Sequence, residues 1–433
     1  MTKPDVPKER LPVDVFALSA VRLIVSAGSF VGPFLAMMLT MKLGYNEAQA
    51  GVFMSAVSVV SAIGLVFGGK LGDSFGRPRV LRTLQALTAL LLLTCAALGF
   101  SAATPFVIAL AMGALSGSWP VMNALVADVT PPSRRKEAFS LMYWANNIGF
   151  SVGPLVAGFL FNQTPRLLFV GNAFALLVAA VVVSLWIKGL PYTGAHAESH
   201  VESETQPATS AESAQSKAPG KKVLSTLTVL AANPILWMYA LASVLTAFIY
   251  NQHTFALPVF LKDILGQDAG PKAYGMVMSA NGLTVVALTI PVMFLAKRMS
   301  NLSAIALSCA FYVFGFGSYW FARSLPLVLM STVLWTVGEI LGATSGNAFV
   351  AEHAPPAHRS RVNSAVSLAY IAGNAAAPLA AGPMARSYGS RSVWPLTSAM
   401  SALATVAFIG LRMFERGGKK AMVQDTAVQA NKV

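Results

Sequence analysis

Charge is scarce in this sequence. Of its 433 residues, 11% are Asp, Glu, Lys or Arg, whereas 55% are hydrophobic, and the mean hydropathy is +0.62. Long apolar segments recur along the whole chain, so lipid is expected to surround most of it. Cysteine is scarcer still: Cys95 and Cys309 both fall in apolar segments, where a small buried hydrophobic residue is favoured over a disulfide or a metal ligand. The composition predicts a polytopic membrane protein.

Signatures of several other protein classes are missing. The first residues, MTKPDVPKERLP, lack the hydrophobic region and cleavage site of a signal peptide, so insertion must rely on the first spanning helix. No P-loop occurs and no Ser/His/acid or Cys/His set converges by spacing, which argues against ATP-driven transport and against an enzyme. His196 and His200 lie four residues apart without a third ligand nearby. The sequence therefore predicts no catalytic residue, no cofactor and no metal site.

Twelve apolar segments have the length of about 20 residues with which a helix crosses a bilayer. They are predicted at 13–38, 47–69, 80–101, 105–129, 138–161, 166–188, 235–261, 273–296, 302–322, 325–351, 361–385 and 392–414. The stretch between the sixth and seventh segments is rich in Ala, Ser, Glu and Pro and is expected to be a largely disordered tether. The predicted units are an N-terminal tail 1–12, a six-helix bundle 13–188, a linker 189–234, a second six-helix bundle 235–414 and a C-terminal tail 415–433.

The basic residues predict the orientation. With both termini inside, 23 of the 31 Lys and Arg residues fall in inner segments and seven in outer segments. Because cytoplasmic loops are enriched in Lys and Arg, both tails and the linker are predicted to be cytoplasmic. The remaining basic residue, Arg22, lies within the first helix and is expected either to reach the interface or to meet an anionic group. The net charge of +14 is spread between apolar segments, so no nucleic-acid partner is predicted.

The two halves of the sequence repeat each other. Shifted by 224 residues without gaps, 127–160 aligns with 351–384, and eleven of the 34 pairs are identical, including Gly149/Gly373 and Gly158/Gly382. Two homologous six-helix bundles are the architecture of transporters that rock one half against the other around a midplane site. The predicted fold is therefore an all-α membrane protein with twelve transmembrane helices in two pseudo-symmetric six-helix bundles.

The segment GKLGDSFGRPRVL (69–81), between the second and third predicted helices, resembles the G-x-L-x-D-R-x-G-R-K/R signature of the major facilitator superfamily. The resemblance implies the major facilitator fold and a cytoplasmic gate that latches the outward-facing state, with a partner acid at the end of helix 4. A charged loop that only determines topology is the alternative. The implied gate residues are Gly69, Asp73, Gly76, Arg77 and Asp128.

The segment GFSVGPLVAG (149–158) resembles the G-x-x-x-G-P-x-x-G-G motif of antiporters in that superfamily, and its matching residues are Gly149, Gly153, Pro154 and Gly158. Small residues four apart let helices approach closely, and a proline can bend a helix at a gate. Ordinary packing of the GxxxG type is the alternative explanation.

Glu339 is the acid that lies deep in a predicted span, whereas the other acids fall in tails, loops, the linker or helix ends. A charged acid near the bilayer centre costs at least about 2.5–3.5 kcal/mol, so Glu339 must pair, face water or be protonated. Its helical neighbours are polar, small or aromatic, which predicts that they line a cavity. Burial disfavours the charged form, so Glu339 is predicted to exchange protons for a cationic substrate. A structural acid satisfied by hydrogen bonds is the alternative.

Polar and aromatic side chains of other spans complete the predicted cavity. In helix 7, His253 is a second candidate proton carrier, although an interfacial polar residue is the alternative. Aromatic rings accept flat lipophilic cations by stacking and cation–π contact, and packing explains any single ring equally well. The predicted substrate residues are Tyr143, Asn146, Asn147, Trp119, Gln252, Tyr250, Phe255, Trp335, Thr336 and Asn347.

Two short stretches resemble proton-coupled multidrug exporters of the superfamily: Gly338-Glu339-Ile340, and YWANN at 143–147. Some of those exporters have an acid where Met142 stands, and many have an Arg in helix 4, where 105–129 has no basic residue, so the number of coupled protons stays open. The resemblance implies a monomeric drug:proton antiporter of the bacterial inner membrane. Its implied partners are protons, the bilayer and a small-molecule substrate.

We therefore predict export of hydrophobic, cationic compounds in exchange for protons. A specific transporter of a metabolite, peptide or lipid, importing or exporting, is the alternative. A non-transporting receptor would explain the spans but neither the gate motif nor the duplication.

Overall fold

A computed structural model describes residues 10–187, 233–354 and 359–430, with side chains described outside 359–361 and 418–430. Helices are its regular elements, and no β-strand occurs in these ranges. Most of the predicted N-terminal tail and linker, including His196 and His200, lies outside the described residues. The α-helices are α1 (Val13–Ala27), α2 (Val31–Met37), α3 (Glu47–Phe75), α4 (Arg77–Leu98), α5 (Thr104–Val129), α6 (Arg135–Gln163), α7 (Arg166–Trp186), α8 (Pro234–Asn251), α9 (Ala256–Ala296), α10 (Asn301–Gly317), α11 (Leu325–His353), α12 (Arg359–Tyr388) and α13 (Val393–Ala430).

Ten helical segments of the described chain are long and apolar enough to cross a bilayer. One of them covers 63 residues from Pro234 to Ala296, about three times the length that one crossing needs. It contains the turn between α8 and α9 and a break at Gly266, where φ is 86°. Helix α6 is not among the ten, because polar residues such as Asn146 and Asn147 lower its hydropathy.

The helices differ from the predicted spans in three places. The first predicted span, 13–38, is divided into α1 and α2 by a short break that begins at Gly28. The motif at 69–81 is not a loop, since α3 continues to Phe75 and Gly76 alone separates it from α4. Gly76 has a φ of 87°, a left-handed value that glycine adopts without a Cβ clash. At the other terminus, α13 continues past residue 414 to Ala430.

The sequence repeat is matched by a repeat of contacts between helices. We call α1–α7 the first half and α8–α13 the second half. A Cβ added to Gly158 in α6 would lie 2.6 Å from the carbonyl oxygen of Pro271, and a Cβ added to Gly382 in α12 would lie 2.6 Å from that of Glu47. Both members of the second contact are shifted by 224 residues from members of the first. Two interfaces between the halves, α6 with α9 and α3 with α12, are therefore related by the sequence repeat.

Polar contacts join the halves at one end of the helices, which we call the closed end. The Lys262 ammonium lies 3.2 Å from Glu47 Oε1, and the Asn162 amide donates a hydrogen bond of 2.8 Å to the Gln267 carbonyl. The Ser55 hydroxyl donates a bond of 2.6 Å to the Ala375 carbonyl, nearer the middle of the helices. We call the opposite end, where Gly76 joins α3 to α4, the motif end. The closed end is thus the place where backbone and charge bind one half to the other.

Candidate substrate and coupling site

Glu339 is the central residue of α11, and each of its carboxylate oxygens accepts a hydrogen bond. The Tyr250 hydroxyl, at the end of α8, donates to Oε1 over 2.7 Å. The Asn281 amide, in α9, donates to Oε2 over 2.7 Å and also to the Thr336 hydroxyl over 2.9 Å. Both donors are neutral, and none of the ion pairs between described residues includes Glu339. The carboxylate is partly buried, so part of it is open to a ligand.

Aromatic rings surround this carboxylate within the second half. The Tyr250 ring lies 4.4 Å from the His253 ring and 6.1 Å from the Trp335 ring, between centroids. Trp335 is fully buried: its indole donates to the Tyr319 hydroxyl over 2.9 Å and its ring stacks on Phe316. His253 Nδ1 faces the Tyr250 carbonyl oxygen, so the second proton carrier considered from sequence lies beside a ligand of Glu339.

The first half reaches the same place through α6. The Tyr143 hydroxyl lies beside Thr289 of α9 and within electrostatic range of Glu339. The Asn147 amide donates to the Tyr143 carbonyl over 2.8 Å. Because Tyr143 and Glu339 belong to different halves, a movement of one half against the other changes the surroundings of the carboxylate.

Other candidates from the sequence lie away from Glu339 or do not face open space. Gln252 and Phe255 are fully buried, and the Gln252 amide points to the Ala377 carbonyl at 3.5 Å. Asn146 accepts a bond of 2.9 Å from the Ser26 hydroxyl of α1, and Asn347 is exposed two turns beyond Glu339. Trp119 lies under the Arg22 guanidinium. The roles of all these residues stay predictions.

The sequence reasoning missed Asn281, the second ligand of Glu339. The signal was present, since Asn281 is an amide near the middle of an apolar span, and such polar side chains bond across helices. Tyr312 was also missed: it is buried on α10, with its ring centroid 6.5 Å from that of Tyr250. Its phenol is not distinguishable from a packing aromatic residue by spacing alone.

At the motif end, Arg77 holds two acids with one guanidinium group. Its Nη2 lies 3.1 Å from Asp73 Oδ1, and its Nη1 pairs with Asp128 at the end of α5. Nη1 also donates to the Ala124 carbonyl over 3.3 Å. The fork therefore ties the end of α3 and the beginning of α4 to the end of α5. The gate role that the resemblance implies for these residues stays a prediction.

A second group of titratable side chains lies at the motif end. Glu352, His353 and Glu415 bring potential metal-ligand atoms within 4.8 Å of one another. His353 Nε2 is 3.2 Å from Glu415, and Glu352 accepts a bond of 2.9 Å from the Asn301 amide. These contacts join α11 to α13 and to the beginning of α10, which is sufficient to explain the group as helix packing.

Comparison with known proteins places this arrangement in a family. The sequence matches the Major Facilitator Superfamily over residues 17–378 and again over residues 264–428. The chain belongs to this superfamily. It is accordingly a multi-pass membrane transporter of small molecules and not an enzyme.

Several bacterial members are similar along most of their length. The uncharacterized MFS-type transporter YqjV of Bacillus subtilis (strain 168) is 24% identical over 385 residues, which are 88% of this chain and 87% of that protein. A Na+, Li+, K+/H+ antiporter of Planococcus maritimus is 23% identical over 421 residues, which are 90% and 93% of the two chains. The quinolone resistance protein NorA of Staphylococcus aureus (strain Mu50 / ATCC 700699) is 25% identical over 148 residues, 33% of this chain and 37% of that protein.

The fold is also similar to those of solved transporters. A crystal structure of a mutant of the nucleoside transporter NupG superposes with a TM-score of 0.75 and 15% identity, covering 93% of this chain and all of that chain. At this identity the likeness concerns the major facilitator fold alone.

Proposed function

We propose that this transporter exports hydrophobic, cationic, drug-like compounds in exchange for protons. The observation that carries the proposal is the setting of Glu339: a partly open carboxylate at the centre of α11, hydrogen-bonded to the neutral donors Tyr250 and Asn281. Multidrug efflux, and resistance to antibiotics with it, would follow from such an activity in a bacterial inner membrane.

Charge balance explains why the site suits exchange. A carboxylate at the middle of a spanning helix is costly unless a positive charge neutralises it. Because its two ligands are neutral, the neutralising species is either a proton or the cation of a substrate, and the two exclude each other at one carboxylate. The rings of Tyr250 and Tyr143 offer the substrate aromatic surface beside this charge. His253 is proposed to assist proton movement because of its contact with Tyr250.

The proposed topology has twelve crossings in two bundles, 13–188 and 235–414, with both termini cytoplasmic. Support comes from the 63 residues of Pro234–Ala296, which are long enough for two crossings and are interrupted at Gly266, and from α6, whose 29 residues exceed one bilayer thickness. We propose a monomer whose motif end faces the cytoplasm. In this orientation the contacts at the closed end make the structure inward-facing.

Alternating access then requires the closed end to separate and the motif end to close. Arg77, Asp73 and Asp128, with Gly69 and Gly76, are proposed as the cytoplasmic gate. The motif of helix α6 (Gly149, Gly153, Pro154 and Gly158) is proposed as the surface on which α6 packs closely against α1 and α9. A Cβ on Gly153 would lie 2.8 Å from the Ala27 carbonyl oxygen, which supports this packing.

Exchange of Na+, Li+ or K+ for protons is a second candidate function, which the Planococcus relative suggests. The site favours organic cations instead. Hard metal cations prefer several oxygen ligands, and at Glu339 the Asn281 amide presents its N–H to the carboxylate. Aromatic rings beside the carboxylate suit an organic cation better.

The decisive experiment measures ethidium movement in proteoliposomes with an imposed pH gradient. The wild-type protein should accumulate ethidium against its concentration gradient, and Glu339→Gln should reduce this movement by about tenfold or more, equivalent to about 1.4 kcal/mol. The matched control is Glu137→Gln, which removes an exposed carboxylate that pairs with Arg134. Gradient-driven transport by Glu339→Gln at the wild-type rate would refute the role of Glu339. Coupled movement of Na+ in place of ethidium would select the second candidate.

A further inference from the structure

Arg22 is a buried cation in the first half. It lies in the middle of α1 with 9% of its surface exposed. Its guanidinium carbon is 3.3 Å from the centroid of the Trp119 ring in α5, so the planar group lies over the ring. Arginine stacks in this way because its planar, weakly hydrated cation is attracted to the face of an indole. The side chain therefore does not extend along α1 toward the membrane interface.

No carboxylate neutralises this cation within the described chain. The ion pairs of the described residues involve other basic groups, and no described acid is hydrogen-bonded to Arg22. One turn away on α1, Ser19 contacts Met142 of α6, an apolar side chain, with an Oγ to Sδ distance of 3.6 Å. A buried guanidinium without an anion is costly, so the site favours any anion that can reach it.

The geometry leaves the guanidinium edge available. Stacking on Trp119 uses a face of the group, whereas its N–H donors lie in the plane and match the two oxygens of a carboxylate. Trp119 itself is 44% exposed, so the pair borders open space rather than the packed interior. A carboxylate attached to an aromatic group can therefore bind the edge of Arg22 while its ring contacts Trp119.

A chain of polar contacts connects Arg22 to the cation site. Ser26 lies one turn beyond Arg22 on α1, and its hydroxyl donates to Asn146 Oδ1 over 2.9 Å. Asn146 lies one turn from Tyr143 on α6, whose hydroxyl is within electrostatic range of Glu339. The two opposite charges, Arg22 and Glu339, therefore border the same polar region from different halves.

We propose that Arg22 and Trp119 form a subsite for a carboxylate of the substrate. Resting on the export function proposed above, the preferred substrates are amphoteric aromatic compounds, with the cationic group at Glu339 and the carboxylate at Arg22. Each half then binds one end of the substrate, which links substrate binding to the relative position of the halves.

The test compares two dyes that differ only at a carboxylate. Rhodamine 110 has a free benzoate, and rhodamine 123 is its methyl ester. In proteoliposomes with a pH gradient, Arg22→Gln should lower the ratio of rhodamine 110 to rhodamine 123 transport by about tenfold, since a charge-assisted bidentate contact is lost. Arg22→Lys should give an intermediate ratio, because the charge remains but the planar fork is lost. Arg79→Gln, which removes an exposed cation at the motif end, should keep the wild-type ratio.

An equal loss for both dyes in Arg22→Gln would indicate a structural role and overturn the proposal, as would an unchanged ratio. If the wild-type protein moves neither dye, the export function fails, and binding then tests the subsite independently. In detergent, dye anisotropy should give a Kd for rhodamine 110 that Arg22→Gln raises about tenfold, with a smaller change for rhodamine 123. Equal changes in the two Kd values would overturn the subsite.

Discussion

The Tyr250 hydroxyl donates a hydrogen bond of 2.7 Å to Glu339 Oε1 and so joins the end of α8 to the centre of α11. Removing this donor leaves Asn281 as the remaining neutral ligand of the carboxylate. A hydrogen bond to a charged group contributes about 1.5–3 kcal/mol. We therefore expect Tyr250→Phe to lower the efficiency of ethidium/proton exchange by about tenfold or more, measured as initial rates in proteoliposomes.

A neighbouring tyrosine provides the control for this prediction. The Tyr312 ring lies 6.5 Å from that of Tyr250, and no hydrogen bond from Tyr312 to Glu339 is present in the described chain. Tyr312→Phe should change the exchange rate by about twofold at most, the range of a substitution without a lost bond. Equal losses in both variants would show that aromatic packing, rather than the Tyr250 bond, supports transport.

Two glycines limit how closely the halves approach. Gly158→Ala would place a methyl group 2.6 Å from the Pro271 carbonyl oxygen, and Gly382→Ala would place one 2.6 Å from that of Glu47. Backbone atoms cannot rotate away, so α6 and α9, or α3 and α12, must separate; overpacking of this kind costs about 1–3 kcal/mol. Each variant is expected to reduce transport by about tenfold, and a thermal-shift measurement should show a lower unfolding temperature.

The control for the glycine variants is Gly410→Ala. A Cβ at Gly410 meets no atom within 4 Å, and alanine is the better helix former by about 1 kcal/mol. This variant should retain wild-type transport and stability. Wild-type behaviour of Gly158→Ala and Gly382→Ala would show that the interfaces at the closed end do not tighten during the transport cycle.

The overall architecture was predictable because the bilayer imposes it. A spanning helix needs a long apolar run, so the positions of such runs locate the helices, and the repeat at 127–160 and 351–384 reappears in the structure as matching contacts of Gly158 and Gly382. The isolation of Glu339 was equally visible, because mid-span acids are rare.

The partners of the charged residues were less predictable. Composition does not reveal how a helix is rotated against its neighbours, so neither the Asn281 bond to Glu339 nor the position of Arg22 over Trp119 follows from spacing. Trp335 was expected to line a cavity because it lies four residues before Glu339. In the structure its indole is fully buried, with a bond to Tyr319. Helical spacing places two residues on one face without showing which one is covered by a third helix.

The ion pair between Lys262 and Glu47 crosses the closed end over 3.2 Å, with both side chains mostly buried. Lys262 also lies 3.4 Å from Asp263, its neighbour on the same helix. Only the first contact joins the halves, so Glu47→Gln is expected to favour opening of the closed end, whereas Asp263→Asn should not. A loss of about 1 kcal/mol corresponds to about a fivefold change in the open population.

Cysteine labelling measures this opening. With Cys95 and Cys309 replaced by alanine, Ser55→Cys places a thiol beside the Ala375 carbonyl of the other half. A membrane-impermeant maleimide should label this thiol several times faster when Glu47→Gln is added. Equal acceleration by Asp263→Asn would show that the charge of Lys262, and not its bond across the halves, determines closure.

Arg77 contacts both Asp73 and Asp128 through different nitrogens of one guanidinium group. Lysine supplies the same charge at a single point, so it cannot keep both contacts and the bond to the Ala124 carbonyl. We expect Arg77→Lys to reduce gradient-driven ethidium transport by about threefold to tenfold, with a small loss of stability because the pairs are partly exposed. Arg79→Lys, at an exposed position two residues away, should behave as wild type. If Arg77→Lys is fully active while Arg77→Gln is not, positive charge alone is required at the motif end, and the two-acid geometry of the proposed gate is wrong.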